Sequence, residues 1–481
     1  MAFIRKVKTG SGATAVQIVR KSYGRIASIE HLGSAHTDKE LSILLSLAKD
    51  RLHAGQQVLF PTQLTALKVK IRQTFSTLLF KVIREQYDHL GFAGLNDEYF
   101  AYLSIARIAE PTSKLDSLRV LSDLGIKDLS KDQLYRCLAR VIEKDYRSTI
   151  SQLCFNHAAS HGLNLVLYDV TSLYFEVQEE DNYRKSGLSK ERRLEPQIII
   201  GLLVDQSGFP LGLHSFEGNI AETKTILPVM EAFRYRYRLD SITVVADAAM
   251  LSLKNLEALS LAGYHYIVGS RLSKVPYDIT QYRKKQPLTD NQIVVTQKDN
   301  YKIIYQYREK RASLDIRNIE KQLLKARRIV SGKAPVKRNR FLTLKTQGKK
   351  LNQAMIDKAY ALAGIKGYVT DLDLPAQEVI DAYHQLFEVE ASFRMAKSDL
   401  KARPIFHHKR EAIEAHLTIV LAALSVSRRI ERLTGVSIKR FVRNLRPIRS
   451  GIVTLNGKEY SAEAEIPEDI HKLLQKLQSG H

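Results

Sequence analysis

The stretch LNLVLYDVTSLYFEV, residues 163–177, sets the tightest limit on how this chain folds. Leu165, Val166, Leu167 and Val170 make it a strand that is apolar on both faces. Such a strand belongs inside a sheet covered on both sides. Asp169 interrupts that row. A lone carboxylate is costly to bury unless it is paired or bound to a metal, so Asp169 needs either a hydrogen-bonding partner or a ligand. The next hundred residues keep the same rhythm. EPQIIIGLLVD is a second strand, Gln206-Ser207-Gly208 a turn, and FPLGLHSFEG a third strand. Residues 221–238 predict a helix, SITVVAD a fourth strand ending at Asp247, residues 251–262 a helix, and YHYIVGS a fifth strand.

Composition narrows the partners. Lys and Arg number 74 against 51 Asp and Glu, a net charge of +23 and a pI near 9.7. A surface this basic favours polyanions, nucleic acid first. Two cysteines, Cys137 and Cys154, are too few for a disulfide framework or a zinc site, and read as reduced thiols of a cytosolic protein. The N-terminus lacks a signal-peptide apolar core, and the apolar run around Leu417–Val426 is too short to span a bilayer. It predicts a buried helix instead, in a protein with no membrane partner.

Taken in order, residues 1–36 read as a small β-rich segment and 37–161 as a helical DNA-binding region, its first helix capped by Asp38. Pro111-Thr112-Ser113 opens one helix and Gly125 closes it; Ser130 opens a helical run through Ala159. Two helices across a short turn fit a helix-turn-helix, with Arg136, Arg140, Lys144 and Arg147 along the second at spacings of three and four. The same pattern is also an ordinary way to build a helical core. Residues 271–365 read as an insertion domain holding a hairpin (NQIVVTQ, YKIIYQY) and a basic helix. It divides a catalytic domain of residues 162–270 and 366–432, and 433–481 is a small C-terminal module. Overall this is a multidomain chain with an α/β core whose strand order is that of a ribonuclease-H-like fold.

Residues 377–400 predict one amphipathic helix after Pro375, with an apolar stripe of Val379, Ala382, Leu386, Val389, Phe393, Ala396 and Leu400. Beside it, Tyr383, Glu390, Arg394 and Lys397 share a narrow sector. These charges are open to a plain reading as solvated helix pairs, Asp247 as a helix cap, and Asp169 as a hydrogen-bonded strand residue. If the three acids instead converge at one sheet end, they cannot share it as bare anions. Divalent cations such as Mg²⁺ or Mn²⁺ would balance them, and two such ions suit displacement at a phosphodiester. Arg394 and Lys397 would hold phosphate oxygens, with Tyr383 positioning the strand. Glu388 is the rival to Glu390, about 200° further round the helix. His214, His407 and His408 are weaker candidates, since hard oxygen sites rarely need imidazole.

At these residues the chain resembles the DDE transposases of bacterial insertion sequences. The nearest group is the insertion-sequence-four-like one, whose third acid lies in a Tyr-x2-Arg-x3-Glu-x6-Lys signature. Tyr383, Glu390 and Lys397 match that spacing, whereas Leu386 stands at the Arg position. LVLYDVTSLYFE, GLLVDQSGFPLGLHSFEGNIAE, VVADAAMLS, GYVTDL and KSDLKARPIFHH carry the rest of the likeness, over roughly residues 100–430. The resemblance implies Asp169, Asp247 and Glu390 as catalytic triad and metal ligands. It implies Mg²⁺ as cofactor, with Mn²⁺ as substitute and two ions per site. Terminal inverted repeats and target DNA would be its substrates, bound by a homodimer in a synaptic complex, in a bacterial cytoplasm at the nucleoid. The competing expectations are a catalytically silent DNA-binding regulator and a ribonuclease-H-like nuclease without strand transfer.

Overall fold

The computed structural model describes residues 2–10, 12–52, 69–176, 179–187, 195–238, 242–248, 253–270, 272–345, 348–403, 405, 407–455 and 457–478. They fall into two compact units, Met1–Val69 and Lys70–His481. In the first, β1 (Ala2–Lys8), β2 (Thr14–Ser22) and β3 (Arg25–Ala35) form an antiparallel meander backed by α1 (Asp38–Leu52). Val16, Ile18 and Ala48 form its core, and Gly33 lies so close to Leu44 that a Cβ there would collide with the leucine. The first helix therefore packs with the N-terminal strands rather than starting a new region at residue 37. Its cap is Thr37, not Asp38. The Thr37 hydroxyl accepts from the Glu40 N–H at 3.3 Å, and the Glu40 carboxylate accepts from the Thr37 N–H at 3.2 Å. This is a capping box, with two orphan amides satisfied reciprocally.

The second unit begins with β4 (Lys70–Phe75), then α2 (Thr77–His89), α3 (Glu98–Ala109), α4 (Ser117–Asp123), α5 (Lys131–Glu143) and α6 (Tyr146–Ala159). The run expected from Ser130 to Ala159 is broken at Asp145, which sits in the left-handed region at φ 44° and caps α6 through the Ser148 N–H. The central layer is a mixed sheet. Its strands are β5 (Leu165–Tyr174), β6 (Gln197–Asp205), β7 (Pro210–Glu217), β8 (Thr243–Ala246) and β9 (His265–Ser270), with α7 (Ile226–Tyr237) and α8 (Leu253–Leu261) between the later ones. β5 pairs antiparallel with β6 and parallel with β8, so the first and fourth strands lie side by side as their order predicts.

The segment read as an insertion contains α9 (Tyr277–Lys285), β10 (Ile293–Gln297), β11 (Lys302–Tyr307), α10 (Glu309–Val330), β12 (Leu342–Lys345), β13 (Gly348–Leu351) and α11 (Gln353–Leu362). Its hairpin is not separate. β14 (Ile365–Thr370) joins it to the sheet, whose order among the described residues is β10-β11-β14-β9-β8-β5-β6-β7. α10, the β12–β13 hairpin and α11 gather round a core built on Ile319, Leu323, Ala326, Phe341 and Ile356, and α9 packs over a second small core of Ile279, Tyr305 and Ile365.

The helix expected over 377–400 runs as α12 (Ala376–His384), α13 (Leu386–Arg394) and a π-turn over Met395–Asp399, in which the Leu400 N–H reaches back to the Met395 carbonyl at 2.9 Å. Its predicted apolar stripe is buried, Ala382 partly. Extra residues in one turn shift the phase of everything beyond it, and π-turns of this kind recur at functional sites. α14 (Arg410–Thr434) comes next and is buried almost throughout from Ala415 to Ser427. Thus the apolar run around Leu417–Val426 is the inside of a core helix. No helix among the described residues is long and apolar enough to cross a membrane. The chain then forms α15 (Ile438–Leu445), β15 (Ser450–Leu455), β16 (Lys458–Ala462) and α16 (Glu468–Gln478), and β15 pairs with β4.

Candidate active site

Leu167 of β5 pairs with Val245 of β8 in parallel register. Continued by two residues, that register sets Asp169 level with Asp247, which lies directly after β8. Asp169 is half-buried on β5 and Asp247 is exposed at its strand end. Successive strand residues alternate faces, so Asp169 shares its face with Thr171. The Lys397 ammonium donates to the Thr171 hydroxyl. Lys397 therefore reaches the strand two residues from Asp169, on the same face.

Asp247 Oδ1 accepts from the Tyr383 hydroxyl at 3.1 Å and from the Ala248 N–H at 2.7 Å. The Tyr383 ring lies edge-on to Tyr368, with centroids 5.0 Å apart, and the Lys366 ammonium sits 4.3 Å from its centre. Gly269 of β9 makes the space: a Cβ there would come within 2.7 Å of the Tyr383 oxygen. Burial, and then the charge of Asp247, push the phenol's pKa up, so its proton stays in place for the hydrogen bond. Glu390 is exposed on α13, and its charge acts on the same two neighbours, Tyr383 and Lys366, that feel Asp247. Burial and then Arg311 lower the Lys366 pKa, while Asp247 and Glu390 oppose them. Lys366, Thr171 and Gly269 escape a sequence reading. Each is a single ordinary residue on a strand, given meaning by α12 and the π-turn packing across it.

The rival acid is committed elsewhere. Glu388 pairs with Arg428 of α14 at 2.6 Å, and Arg428 also donates to the Ser207 carbonyl at 2.6 Å. Leu386, at the signature's Arg position, is buried in the core. Arg394 lies over the exposed Phe387 ring, 5.7 Å from its centre. Among the cations of the helical region, Arg136 and Lys144 are exposed. Arg140 is not available in that way: it clamps Asp97 at 2.7 and 2.9 Å, which fixes α5 against the start of α3. Arg147 binds Glu414 and Thr418 of α14. His214 is half-buried beside Arg147 and Glu414, its pKa pulled down to about 4 by burial and then by Arg147. Burial and then Lys114 lower that of His407 to about 4. Both cysteines are buried and free, each thiol pushed up to about 12 chiefly by burial.

The donor chemistry suits a hard divalent cation: carboxylate oxygens level with one another, Asp169 midway along β5 and Asp247 just past β8, with a third acid on the covering helix. The cage is not ready-made. Among the described residues, no three His, Cys, Asp or Glu side chains stand close enough together to hold one ion.

Residues 160–426, more than half of the chain, match the transposase DDE domain family, and the chain belongs to that family. This defines its class as a DDE transposase, a class that works with divalent metal ions. Among solved structures the chain is similar to a piggyBac transposase synaptic complex with hairpin DNA, determined by cryo-electron microscopy. The match has 11% identity and a TM-score of 0.43, over 77% of this chain and 79% of that one. No curated protein matches the chain.

Proposed function

We propose that the chain binds the terminal inverted repeats of an insertion sequence and catalyses DNA cleavage and strand transfer, with Asp169, Asp247 and Glu390 as its acids on a ribonuclease-H-like core. The observation that carries this reading is the parallel register of β5 and β8, which sets the two aspartates level beneath the helix bearing Glu390. These three residues would hold Mg²⁺, with Mn²⁺ as substitute and two ions per site. Bound there, the ions supply activation of a water or 3′-hydroxyl and stabilisation of the leaving oxygen. The chain's own groups do the rest. Tyr383 holds Asp247 by its hydroxyl, Lys397 is anchored at Thr171 beside the strand acid, and Lys366 adds positive charge at the same end. Cations so placed hold phosphate oxygens and fix the register of a DNA strand. Exposed Arg136 and Lys144 serve duplex binding away from the acids.

We place the chain nearest the insertion-sequence-four-like group, as a bacterial cytoplasmic protein acting as a homodimer in a synaptic complex. The test supplies duplex DNA carrying the element's inverted repeats, with Mg²⁺ and a target plasmid. The expected products are 3′-hydroxyl ends joined to the target. Cleavage without joining would favour a nuclease, and binding without cleavage a silent regulator.

A further inference from the structure

Away from the acidic sheet end, the second unit encloses a cavity of about 670 Å³, within the range of roughly 300–1,000 Å³ usual for ligand sites. Arg107 of α3 and Lys114, in the turn after α3, line it, and each is only 6% exposed. No ion pair among the described residues involves Arg107 or Lys114, and the carboxylate at the cavity wall, Asp116, is held by Arg119 at 2.9 and 3.0 Å. The only hydrogen bond of the Arg107 side chain among them is a long one, 3.4 Å to the Lys401 carbonyl. Lys114 lies 3.0 Å from His416 Nδ1, while His416 Nε2 lies 3.0 Å from the Ala402 carbonyl. A carbonyl only accepts, so Nε2 carries the proton and Nδ1 accepts from Lys114.

A guanidinium cannot shed its charge, and a buried cation without a counter-ion is unstable. What such a site lacks is an anion. The flat fork of Arg107 suits a tetrahedral oxyanion, which it can meet with two parallel hydrogen bonds. Lys401 adds charge and Tyr135 a hydroxyl to the wall, while burial and then Arg107 pull the Lys114 pKa well down, so Lys114 offers an N–H donor whose charge an incoming anion would restore. His407, also in the wall, is kept neutral by burial and by these same cations, so it can accept or donate without adding repulsion. The position is apt for a nucleic acid. Lys401 lies four residues beyond Lys397, and Arg403 stacks 4.8 Å from the ring centre of Tyr174, at the end of the strand that carries Asp169.

We propose that this cavity is a phosphate-binding subsite built on Arg107 and Lys114, and that the phosphate it takes belongs to a nucleic-acid strand. The proposal rests on the DNA-transposase reading and adds a second contact to it, outside the triad. Melting of the full chain is measured in chloride buffer at constant ionic strength, first with inorganic phosphate and then with a short DNA oligonucleotide. Wild type and Lys114→Met are compared. Lys114→Gln, which keeps a donor toward His416, replaces the methionine variant should that fail to fold. The expected result is a melting temperature for the unliganded variant at or above wild type, since a buried amine with no counter-ion has been removed. Wild type responds to inorganic phosphate and binds the oligonucleotide at least tenfold more tightly than the variant. Equal responses of the two proteins to both probes overturn the subsite. Discrimination with inorganic phosphate alone overturns its assignment to a strand. Asp247→Asn should keep the wild-type phosphate response. Thus a chain that binds phosphate here yet never cuts repeat-ended DNA fails as a transposase only, and one that cuts DNA with no effect of Lys114 fails as to the subsite only.

Discussion

Two carboxylate networks in the second unit share an aspartate, a tyrosine hydroxyl and a backbone amide, and come out differently. At the start of α3, Asp97 accepts from Arg140 at 2.7 and 2.9 Å, from the Tyr146 hydroxyl at 3.0 Å and from the Phe100 N–H at 3.2 Å, with its side chain 2% exposed. Both oxygens are used and the network is closed. After β8, Asp247 also has a tyrosine and a backbone amide, but both bond to Oδ1, and the residue is exposed. An Arg–Asp–Tyr set whose bonds are all spent inside the fold acts on stability. A Tyr–Asp set that keeps one oxygen outside these bonds, beside another aspartate, is built to take something more.

The largest effect should separate the two on activity. Asp247→Asn should lower the DNA-cleavage rate by at least about 10²–10³-fold, the scale for losing one preorganised electrostatic group. Its melting temperature and DNA affinity should stay near wild type. Asp97→Ala should do the reverse. It strips a cap from α3 and leaves Arg140 unpaired, at a cost of about 3 kcal/mol in unfolding free energy by denaturant titration. DNA affinity per folded molecule should be unchanged. Should Asp97→Ala instead spare stability and abolish binding, the contrast between the networks fails.

Smaller changes sharpen it. Tyr383→Phe removes one hydrogen bond to a charged group, about 1.5–3 kcal/mol, and should cost roughly tenfold or more in cleavage rate without unfolding the protein. Acid gives another view of Asp97. Burial raises its pKa, but the bonds from Arg140, Phe100 and Tyr146 outweigh this and hold it below the usual value. A depressed folded pKa contributes stability that is complete above the unfolded value of about 3.9 and is lost as pH falls through the folded one. The difference in stability between wild type and Asp97→Asn should therefore shrink below about pH 4. The smallest effects belong to the exposed cations. Arg136→Ala and Lys144→Ala should each change stability by no more than about 0.5 kcal/mol. Each should also weaken duplex binding at low salt, lowering the salt slope by about 1 where a phosphate contact is lost. Arg140→Ala should cost stability first.

Much of the central sheet was legible in the sequence because its signals are local. Both faces of β5 are apolar, Gln206–Gly208 turns one strand into the next, and the chain order sets β5 beside β8. The buried stripe from Val379 to Leu400 was legible for the same reason. What escaped depends on distant partners. Nothing near residue 293 says that β10 and β11 will extend the main sheet through β14, and nothing near Ser450 says that β15 will pair with β4, almost four hundred residues earlier. The break at Gln385 and the π-turn after Arg394 reflect packing against the sheet, since the local sequence continues a helical pattern. Helical spacing likewise could not tell Arg140, which the fold uses, from Arg136, which it leaves exposed.

The enzymatic reading stands or falls on whether the acids level with one another on β5 and just past β8 take a divalent ion. Crystals of the full chain soaked in Mn²⁺, with a repeat-ended DNA bound, would give an anomalous difference map that answers it. Manganese peaks contacted by Asp169 and Asp247, with Glu390 drawn in as a further ligand, are the predicted result. Saturating Mn²⁺ with no peak at these carboxylates, or peaks held by other residues alone, would contradict it.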